Sequence, residues 1–269
     1  MTPECDDVAI SIENLTREFG RVVAVRSLNL VVPYGVIFGL LGSNGAGKST
    51  TIKMLTTMLP PTSGNAFVAG YSILTDAVQI RRRMGYVSQM LSADGALTGA
   101  ENLMLFAKIY GIPRSERRSR VVSALQFMGL SDVGTHLVSS YSGGMIRRLE
   151  IAQSMLHRPR VLFLDEPTVG LDPVARHQVW QKLKEMRASF GTTILMTTHD
   201  MEEADELCDR IAILQSGNLA VAGSPQELKE LAGTDSMDAV FIHFSGGTSE
   251  TAANYQDVRQ FRRAARRMG

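Results

Sequence analysis

A nine-residue stretch, GSNGAGKST at residues 42–50, constrains this chain more than any other part of its sequence. The apolar run VIFGLL at 36–41 precedes it and predicts a buried strand, and residues 50–59 follow it with the composition of a helix. Glycines between a strand and a helix let backbone N–H groups point inward, and the helix adds the positive end of its dipole. The stretch therefore predicts a loop that binds a polyphosphate. The candidate contacts are Gly42, Ser43, Asn44, Gly45, Ala46, Gly47, Lys48, Ser49 and Thr50.

A second stretch supplies the acids that polyphosphate chemistry needs. Residues 161–166 (VLFLDE) predict a buried strand that ends in two adjacent carboxylates, Asp165 and Glu166. Because side chains alternate along a strand, these carboxylates point in different directions. One can hold Mg²⁺ and the other can orient an attacking water, while Lys48 reaches the β- and γ-phosphates and Ser49 offers its hydroxyl to Mg²⁺. The alternative is a strand that runs into an ordinary polar loop.

Composition narrows the range of partners. The chain has 269 residues, 44% of them hydrophobic and 20% charged, which suits one large α/β domain or a core domain with a subdomain. Its formal net charge of +1 provides no bulk attraction to nucleic acid, so no nucleic-acid partner is expected. No apolar run approaches the ~20 residues that span a bilayer, and the N-terminal MTPECDD lacks the features of a signal peptide. Any membrane role is therefore expected to come through a partner chain.

Several other residues suit either an ordinary structural role or a binding site. Phe19, beside Gly20, suits the core or a stack on a nucleotide base. A polar residue at a strand end, such as Gln89 or His199, suits a solvated loop or a site. Ser142, Gly143 and Gly144 open a predicted helix, so they suit a plain helix cap or a second anion site.

The remaining pattern predicts local structure around these residues. Residues 98–130 predict two helices that form a small insert between two halves of an α/β sheet, and residues 65–73 predict a single strand. Asp172 is expected to cap a helix that has proline at its first position. Asp200 is expected to cap another, with Glu203 in the capping-box position.

The C-terminal segment differs from the rest of the chain. Residues 245–254 have the composition of a linker, and the final stretch repeats arginine at helical spacing on one face. A solvated or frayed terminus is one interpretation, and contact with anionic lipid headgroups or an acidic partner is the other. The arginines are Arg259, Arg262, Arg263, Arg266 and Arg267.

The order and spacing of these motifs, from about residue 8 to 232, resemble the ATP-binding-cassette (ABC) ATPases. The resemblance implies that Phe19 stacks on adenine, that residues 42–50 are the Walker A loop, and that Gln89 touches Mg²⁺ as the Q-loop residue. It further implies that Asp165 is the Walker B aspartate and metal ligand. In the same way Glu166 would be the catalytic base, Asp172 would belong to the D-loop, and His199 would contact the γ-phosphate. YSGGM at 141–145 would be the signature motif, with Tyr141 for the usual leucine and Met145 for the usual glutamine.

The resemblance also implies an architecture. It predicts an α/β fold with a P-loop NTPase core, in which a mixed sheet with flanking helices carries an antiparallel β subdomain and an α-helical subdomain. The expected domain covers residues 1–232, with the helical subdomain inserted at about 90–158, and residues 233–269 form a C-terminal extension with a basic helix.

Function and partners are implied by the same resemblance. The signature of one subunit completes the ATP site of the other, so a second ATPase subunit, most simply another copy of this chain, is expected. YSGGMIRRLEIA, EPTVGLDP and MDAVFIHFSGG are similar to drug- and lipid-exporter ATPases of the daunorubicin-resistance type. This similarity implies an ATP- and Mg²⁺-dependent exporter subunit on the cytoplasmic face of the membrane, working with a polytopic permease. The alternatives are an importer ATPase and a soluble ABC ATPase that acts on ribosomes or nucleic acid.

Overall fold

A computed structural model describes residues 7–245 of the chain, which fold into two β-sheets with helices around them. The strands are β1 (Val8–Phe19), β2 (Val22–Pro33), β3 (Ile37–Leu41), β4 (Ser63–Val68), β5 (Tyr71–Ser72), β6 (Met84–Val87), β7 (Val161–Asp165), β8 (Thr193–Thr198), β9 (Arg210–Gln215) and β10 (Asn218–Gly223). The helices are α1 (Lys48–Leu55), α2 (Ala77–Arg83), α3 (Gly99–Ile109), α4 (Arg114–Phe127), α5 (Gly143–Met155), α6 (Pro173–Phe190), α7 (Met201–Leu207), α8 (Pro225–Ala232) and α9 (Met237–Phe244).

The larger sheet has six strands in the order β10-β9-β3-β8-β7-β6. Every pair is parallel except β10 with β9, which forms an antiparallel hairpin at the edge. All residues of β3, β7 and β8 are buried, which explains why these strands are continuous apolar runs with no alternation. The register pairs Leu41 with Thr198 and Asp165 with Thr197. The C-terminal ends of three strands therefore meet at one edge of the sheet.

The smaller sheet is antiparallel, with the order β2-β1-β4-β5. The prediction of one strand over residues 65–73 is wrong, because the backbone reverses at Ala69 and Gly70. Both residues have positive φ, 50° and 82°. This two-residue turn converts the expected strand into the β4–β5 hairpin, in which Val68 pairs with Tyr71. The mixed parallel sheet with helices and the separate antiparallel sheet confirm the predicted fold class.

Helices α3, α4 and α5 follow β6 and precede β7 in the sequence, and they pack against one another. The two helices predicted over residues 98–130 are confirmed, and Thr98 and Glu101 form the expected capping box at the start of α3. The side chains of Leu103, Val121 and Leu149 lie in one buried cluster with residues of the parallel sheet. The limits proposed for a helical subdomain, about 90–158, stay a prediction.

The parallel sheet divides the core into two apolar clusters because alternate strand residues face opposite sides. Ile37 and Leu41 of β3 belong to the cluster that includes α3–α7, whereas Phe38 and Leu40 belong to the cluster shared with the antiparallel sheet and α1. This burial on both faces fixes the position and direction of β3 within the sheet. The loop that follows Leu41 therefore starts from a rigid support.

The last described helix, α9, packs against α7 and α8. Met237, Val240 and Phe241 of this helix are buried in the main core. The domain limit predicted at residue 232 stays a prediction, and the arginine-rich stretch 259–267 lies outside the described residues. Among residues 7–245, no helix combines the length and apolarity needed to cross a bilayer.

Candidate active site

The predicted polyphosphate loop lies between β3 and α1. Its ends are buried at Gly42 and Gly47, whereas residues 43–45 are exposed to solvent. Gly47 has a φ of 103°, and a Cβ atom there would lie 2.5 Å from the carbonyl oxygen of Ala24. Glycine is required at this position because both the backbone conformation and the close approach exclude a side chain. Thr50 is half-buried in the first turn of the helix. The loop thus exposes residues 43–45 to solvent beside the N-terminus of α1.

Lys48 is held inside this loop. Its Nζ donates to the carbonyl oxygens of Gly42 at 2.7 Å and Ser43 at 3.1 Å, and lies 3.8 Å from Oε1 of Glu166. Only 5% of the residue is exposed. Burial lowers the pKa of Lys48, and the carboxylates of Glu166 and Asp165 partly offset this by raising it. The arrangement places one cation where the charges of a bound polyphosphate would concentrate.

Asp165 lies at the end of β7, beside the loop. One oxygen, Oδ1, accepts hydrogen bonds from the hydroxyls of Ser49 at 2.9 Å and Thr197 at 2.6 Å. Within residues 7–245 no group of three His, Cys, Asp or Glu side chains could hold a metal by itself. Mg²⁺ is commonly bound by one carboxylate, a hydroxyl, substrate phosphates and waters. Ser49 and Asp165 supply that donor set, so the residues present fit Mg²⁺ bound together with a nucleotide.

The side chains of Lys48, Gln89 and His199 converge on the carboxylate of Glu166. Glu166 is buried, and its backbone has a φ of 48°, in the left-handed region that costs a residue with a Cβ about 1–3 kcal/mol. Gln89 Nε2 donates to its Oε2 at 3.2 Å, and Nδ1 of His199 lies 3.2 Å from its Oε1. Gln89 and His199 are both exposed. Glu166 therefore forms the floor of a polar site with Gln89 and His199 at its rim.

Phe19 and Asp172 are predicted site residues that lie outside this cluster. Phe19, at the end of β1, is 47% exposed, and the guanidinium of Arg17 lies 4.6 Å from its ring centroid. The core interpretation of Phe19 is therefore wrong, while stacking on a base stays a prediction. Asp172 caps α6, accepting hydrogen bonds from the N–H groups of Val174 and Ala175. The cap of α6 is confirmed, and a role of Asp172 at a nucleotide stays a prediction.

The Ser-Gly-Gly segment, Ser142–Gly144, forms the N-terminus of α5. Ser142 caps the helix by accepting a hydrogen bond from the N–H of Met145 at 3.3 Å. A Cβ atom on Gly144 would lie 2.6 Å from that of Ala175, in the first turn of α6. The glycine is thus needed for close packing of two helix ends. Its predicted role toward phosphate concerns the site of a second subunit and stays a prediction.

The capping box expected at the start of α7 is wrong. Asp200 does cap the helix, but its own N–H donates to the hydroxyl of Thr198 at 3.0 Å. Glu203 instead turns into the core, where it accepts from Thr168 at 2.7 Å and Trp180 at 2.8 Å. Burial is the largest cause of a raised pKa at Glu203. Glu203 therefore ties the segment after β7 to the helix after β8.

Thr197 is a site residue that the sequence pattern does not reveal. Its hydroxyl donates to Asp165 and accepts a hydrogen bond from the N–H of Glu166 at 2.9 Å. The side chain is fully buried in β8. A threonine within TTILMTT is typical of any strand, so only the pairing of β7 with β8 shows that it holds both acids.

Comparisons with known proteins agree with this arrangement. A family model described as ABC transporter matches residues 25–169. The daunorubicin/doxorubicin resistance ATP-binding protein DrrA of Streptomyces peucetius is 43% identical over 84% of this chain and 68% of its own length. The Nod factor export ATP-binding protein I of Ralstonia nicotianae is 42% identical over 81% of this chain and 68% of its own length.

A solved structure shows the same fold with products of hydrolysis bound. It is the dimeric post-hydrolysis state of the ATP-binding cassette MJ0796 with ADP and Pi, and it matches with a TM-score of 0.71 at 26% identity. The match covers 80% of this chain and 98% of the other. The phosphate loop, the paired acids and these relatives together show that this chain is an ATP-hydrolysing member of the ABC transporter family of ATP-binding proteins.

Proposed function

We propose that this chain is the ATPase subunit of an exporter whose membrane-spanning permease is a separate chain. The observation that carries the proposal is the meeting of Lys48, Ser49, Asp165 and Glu166 at one edge of the sheet, with Gln89 and His199 at the rim. The direction of transport is supported by relatives whose names specify drug resistance and Nod factor export. Drugs, lipids and similar amphiphiles are the class of cargo proposed.

The residues of the site have separate tasks in ATP hydrolysis. Glu166 accepts a proton from the attacking water as the water oxygen bonds to the γ-phosphorus, and the bond from that phosphorus to the ADP oxygen breaks. Lys48 neutralises phosphate charge within the loop, and His199 contacts the γ-phosphate from the rim. Phe19 stacks on the adenine. Mg²⁺, held by Ser49 and Asp165 and touched by Gln89, supplies Lewis-acid stabilisation of the phosphate oxygens when bound.

A complete site needs a second ATPase subunit. Ser142–Gly144 and Asp172 are at helix N-termini outside the cluster around Glu166, and two copies arranged head to tail would bring the signature of each to the nucleotide of the other. The dimeric state of the matching cassette structure supports the need for a second subunit. The pair would sit on the cytoplasmic face of the membrane against the permease. Closing and reopening of the dimer would move the permease, so the cargo would not touch this chain.

Co-purification tests the proposal. The tagged chain is recovered from gently solubilised membranes of its native cell, and the proteins that accompany it are identified. The expected result is a polytopic membrane protein in matching amounts. Recovery with ribosomes or nucleic acid would instead place the chain among the soluble ABC ATPases. The direction of transport is measured separately, and net uptake of cargo into the cell would make the chain an importer subunit. A Glu166→Gln variant is the matched control, expected to retain the permease but to support no export.

A further inference from the structure

A buried ion pair on α5 joins the helix that carries the Ser-Gly-Gly segment to the segment that carries Gln89. Arg147 is 1% exposed, and Glu150 is 3% exposed. The two side chains meet at 3.0 Å, and they lie about one and two helical turns after Gly144. Neither residue has a task in the chemistry described above.

Apart from its bond to Glu150, Arg147 directs its hydrogen bonds to the segment after β6. Its two terminal nitrogens donate to the backbone carbonyl oxygens of Ser88 and Gln89, each at 2.7 Å. Gln89 is thus held at both ends, because its side-chain amide donates to Glu166 at 3.2 Å while its own carbonyl accepts from Arg147. A single residue therefore connects the candidate base to helix α5.

Glu150 holds the next part of the same segment. Its Oε1 accepts hydrogen bonds from the N–H and hydroxyl of Ser92, the latter at 3.1 Å, and from the N–H of Ala93 at 3.3 Å. Arg147 donates to backbone carbonyls and Glu150 accepts from backbone N–H groups, so the pair hydrogen-bonds both the acceptors and the donors of one backbone segment. Residues 88–93 and α5 should consequently move as one body.

The net contribution of this buried pair to stability is small, because burial of both charges offsets their attraction. The Nε atom of Arg147 is buried without a hydrogen-bond partner among the described residues, and burial lowers the pKa of its guanidinium. Buried ion pairs are often replaceable by apolar side chains at no cost in stability, because desolvation offsets their attraction. What an apolar pair could not provide is the directional grip on the segment that carries Gln89.

We propose that Arg147 and Glu150 are positioning residues that couple nucleotide binding at the chain's own phosphate loop to the placement of Ser142–Gly144. A γ-phosphate contacting Glu166 and Gln89 would shift the backbone of residues 88–93. The buried pair would pass that shift to the N-terminus of α5. The proposal rests on the proposed function, since Ser142–Gly144 would complete the nucleotide site of the second subunit. The pair would then link the two ATP sites of a dimer.

Hydrogen exchange measured by mass spectrometry on the full chain tests this coupling. Exchange in residues 42–50 and 141–146 is compared with and without a non-hydrolysable ATP analogue and Mg²⁺. In the wild type the analogue should slow exchange in both segments, by about fivefold or more in 141–146 for a typical allosteric coupling. In Arg147→Met the slowing at 42–50 should persist, while the slowing at 141–146 should be lost.

Two further variants separate positioning from folding. Arg148→Met removes the neighbouring arginine of α5, whose side chain bonds the Met128 carbonyl at 3.1 Å instead, and should behave like the wild type. Arg147→Lys keeps the charge but cannot donate to two carbonyls with a planar fork, so it should fold and still lose most of the coupling. In Arg147→Lys the dissociation constant of the analogue should stay unchanged, while kcat for ATP hydrolysis falls.

The outcomes are decisive. Equal slowing at 141–146 in the wild type, Arg147→Met and Arg147→Lys would overturn the coupling, as would the absence of slowing there in the wild type. Failure of the analogue to slow exchange at 42–50 in the wild type would instead contradict the ATP-site assignment. Neither result depends on identifying the permease, so the coupling and the exporter function fail separately.

Discussion

Removal of one buried hydroxyl tests how this site is built. Thr197→Val keeps the shape of the side chain but deletes the oxygen that donates to Asp165 at 2.6 Å and accepts from the N–H of Glu166 at 2.9 Å. Asp165 keeps its second donor, Ser49. The N–H of Glu166 loses its partner within a backbone that already has positive φ.

The expected loss of stability follows from these two bonds. A buried N–H left without a partner costs about 1–3 kcal/mol, and loss of one donor to a charged acceptor costs about 1.5–3 kcal/mol. The additional buried methyl of valine offsets part of this by about 0.8 kcal/mol. We therefore expect unfolding to require about 2–5 kcal/mol less, which lowers the Tm by about 4–20 °C for a domain of this size.

The loss of activity should be larger than the loss of stability implies. The same hydroxyl fixes the backbone at Glu166, and a 1 Å misplacement of a catalytic group can cost about 100-fold in rate. Thermal unfolding and phosphate release from ATP measure the two effects separately. Thr197→Ser is the matched control, because it retains the hydroxyl and should keep most of the rate. A valine variant that melts and hydrolyses ATP like the wild type would refute the role given to Thr197.

Three further substitutions test other parts of the structure. Glu166→Gln should lower the rate of ATP hydrolysis by about 100-fold or more while ATP binding, measured by calorimetry, is retained; an unchanged rate would disprove the assignment of the base. Gly144→Ala should lower the Tm, since its Cβ would lie 2.6 Å from that of Ala175, and normal melting would show that the helix ends can separate. His157 donates to the Met84 carbonyl at 2.8 Å, and burial lowers its pKa below the ordinary 6.5. His157 therefore binds a proton more readily in the unfolded chain than in the folded one. The stability that the neutral, buried imidazole contributes is complete above pH 6.5 and is lost as the pH falls through the folded pKa. Denaturation of His157→Gln should therefore depend less on pH below 6.5 than the wild type, and identical pH profiles would contradict this.

The parts of the site that could be predicted are those in which a short run of neighbouring residues has few interpretations. The phosphate loop at 42–50 and the acids Asp165 and Glu166 follow from local sequence, because a loop between a buried strand and a helix needs only neighbouring residues. The assignments of Gln89 and His199 came only with the family resemblance. The structure places both within 3.2 Å of Glu166, although their roles in catalysis stay predictions.

Other features could not be predicted because they depend on contacts between distant segments. The turn at Ala69 and Gly70 divided an apolar run whose composition predicted one strand. Glu203 satisfies the spacing of a capping box, yet its side chain lies in the core and accepts hydrogen bonds from Thr168 and Trp180.

The sequence by itself determined the phosphate loop, which is a contiguous motif, and the order of its motifs carried the family resemblance that implied the fold class. Tertiary structure alone decided which side chains hold that motif in place. Thr197 reaches both acids because β8 pairs with β7, and Arg147 reaches Gln89 because α5 packs beside the end of β6. The physical reason is that a hydrogen bond forms over about 3 Å of space, and separation along the chain carries no record of which distant segments approach that closely.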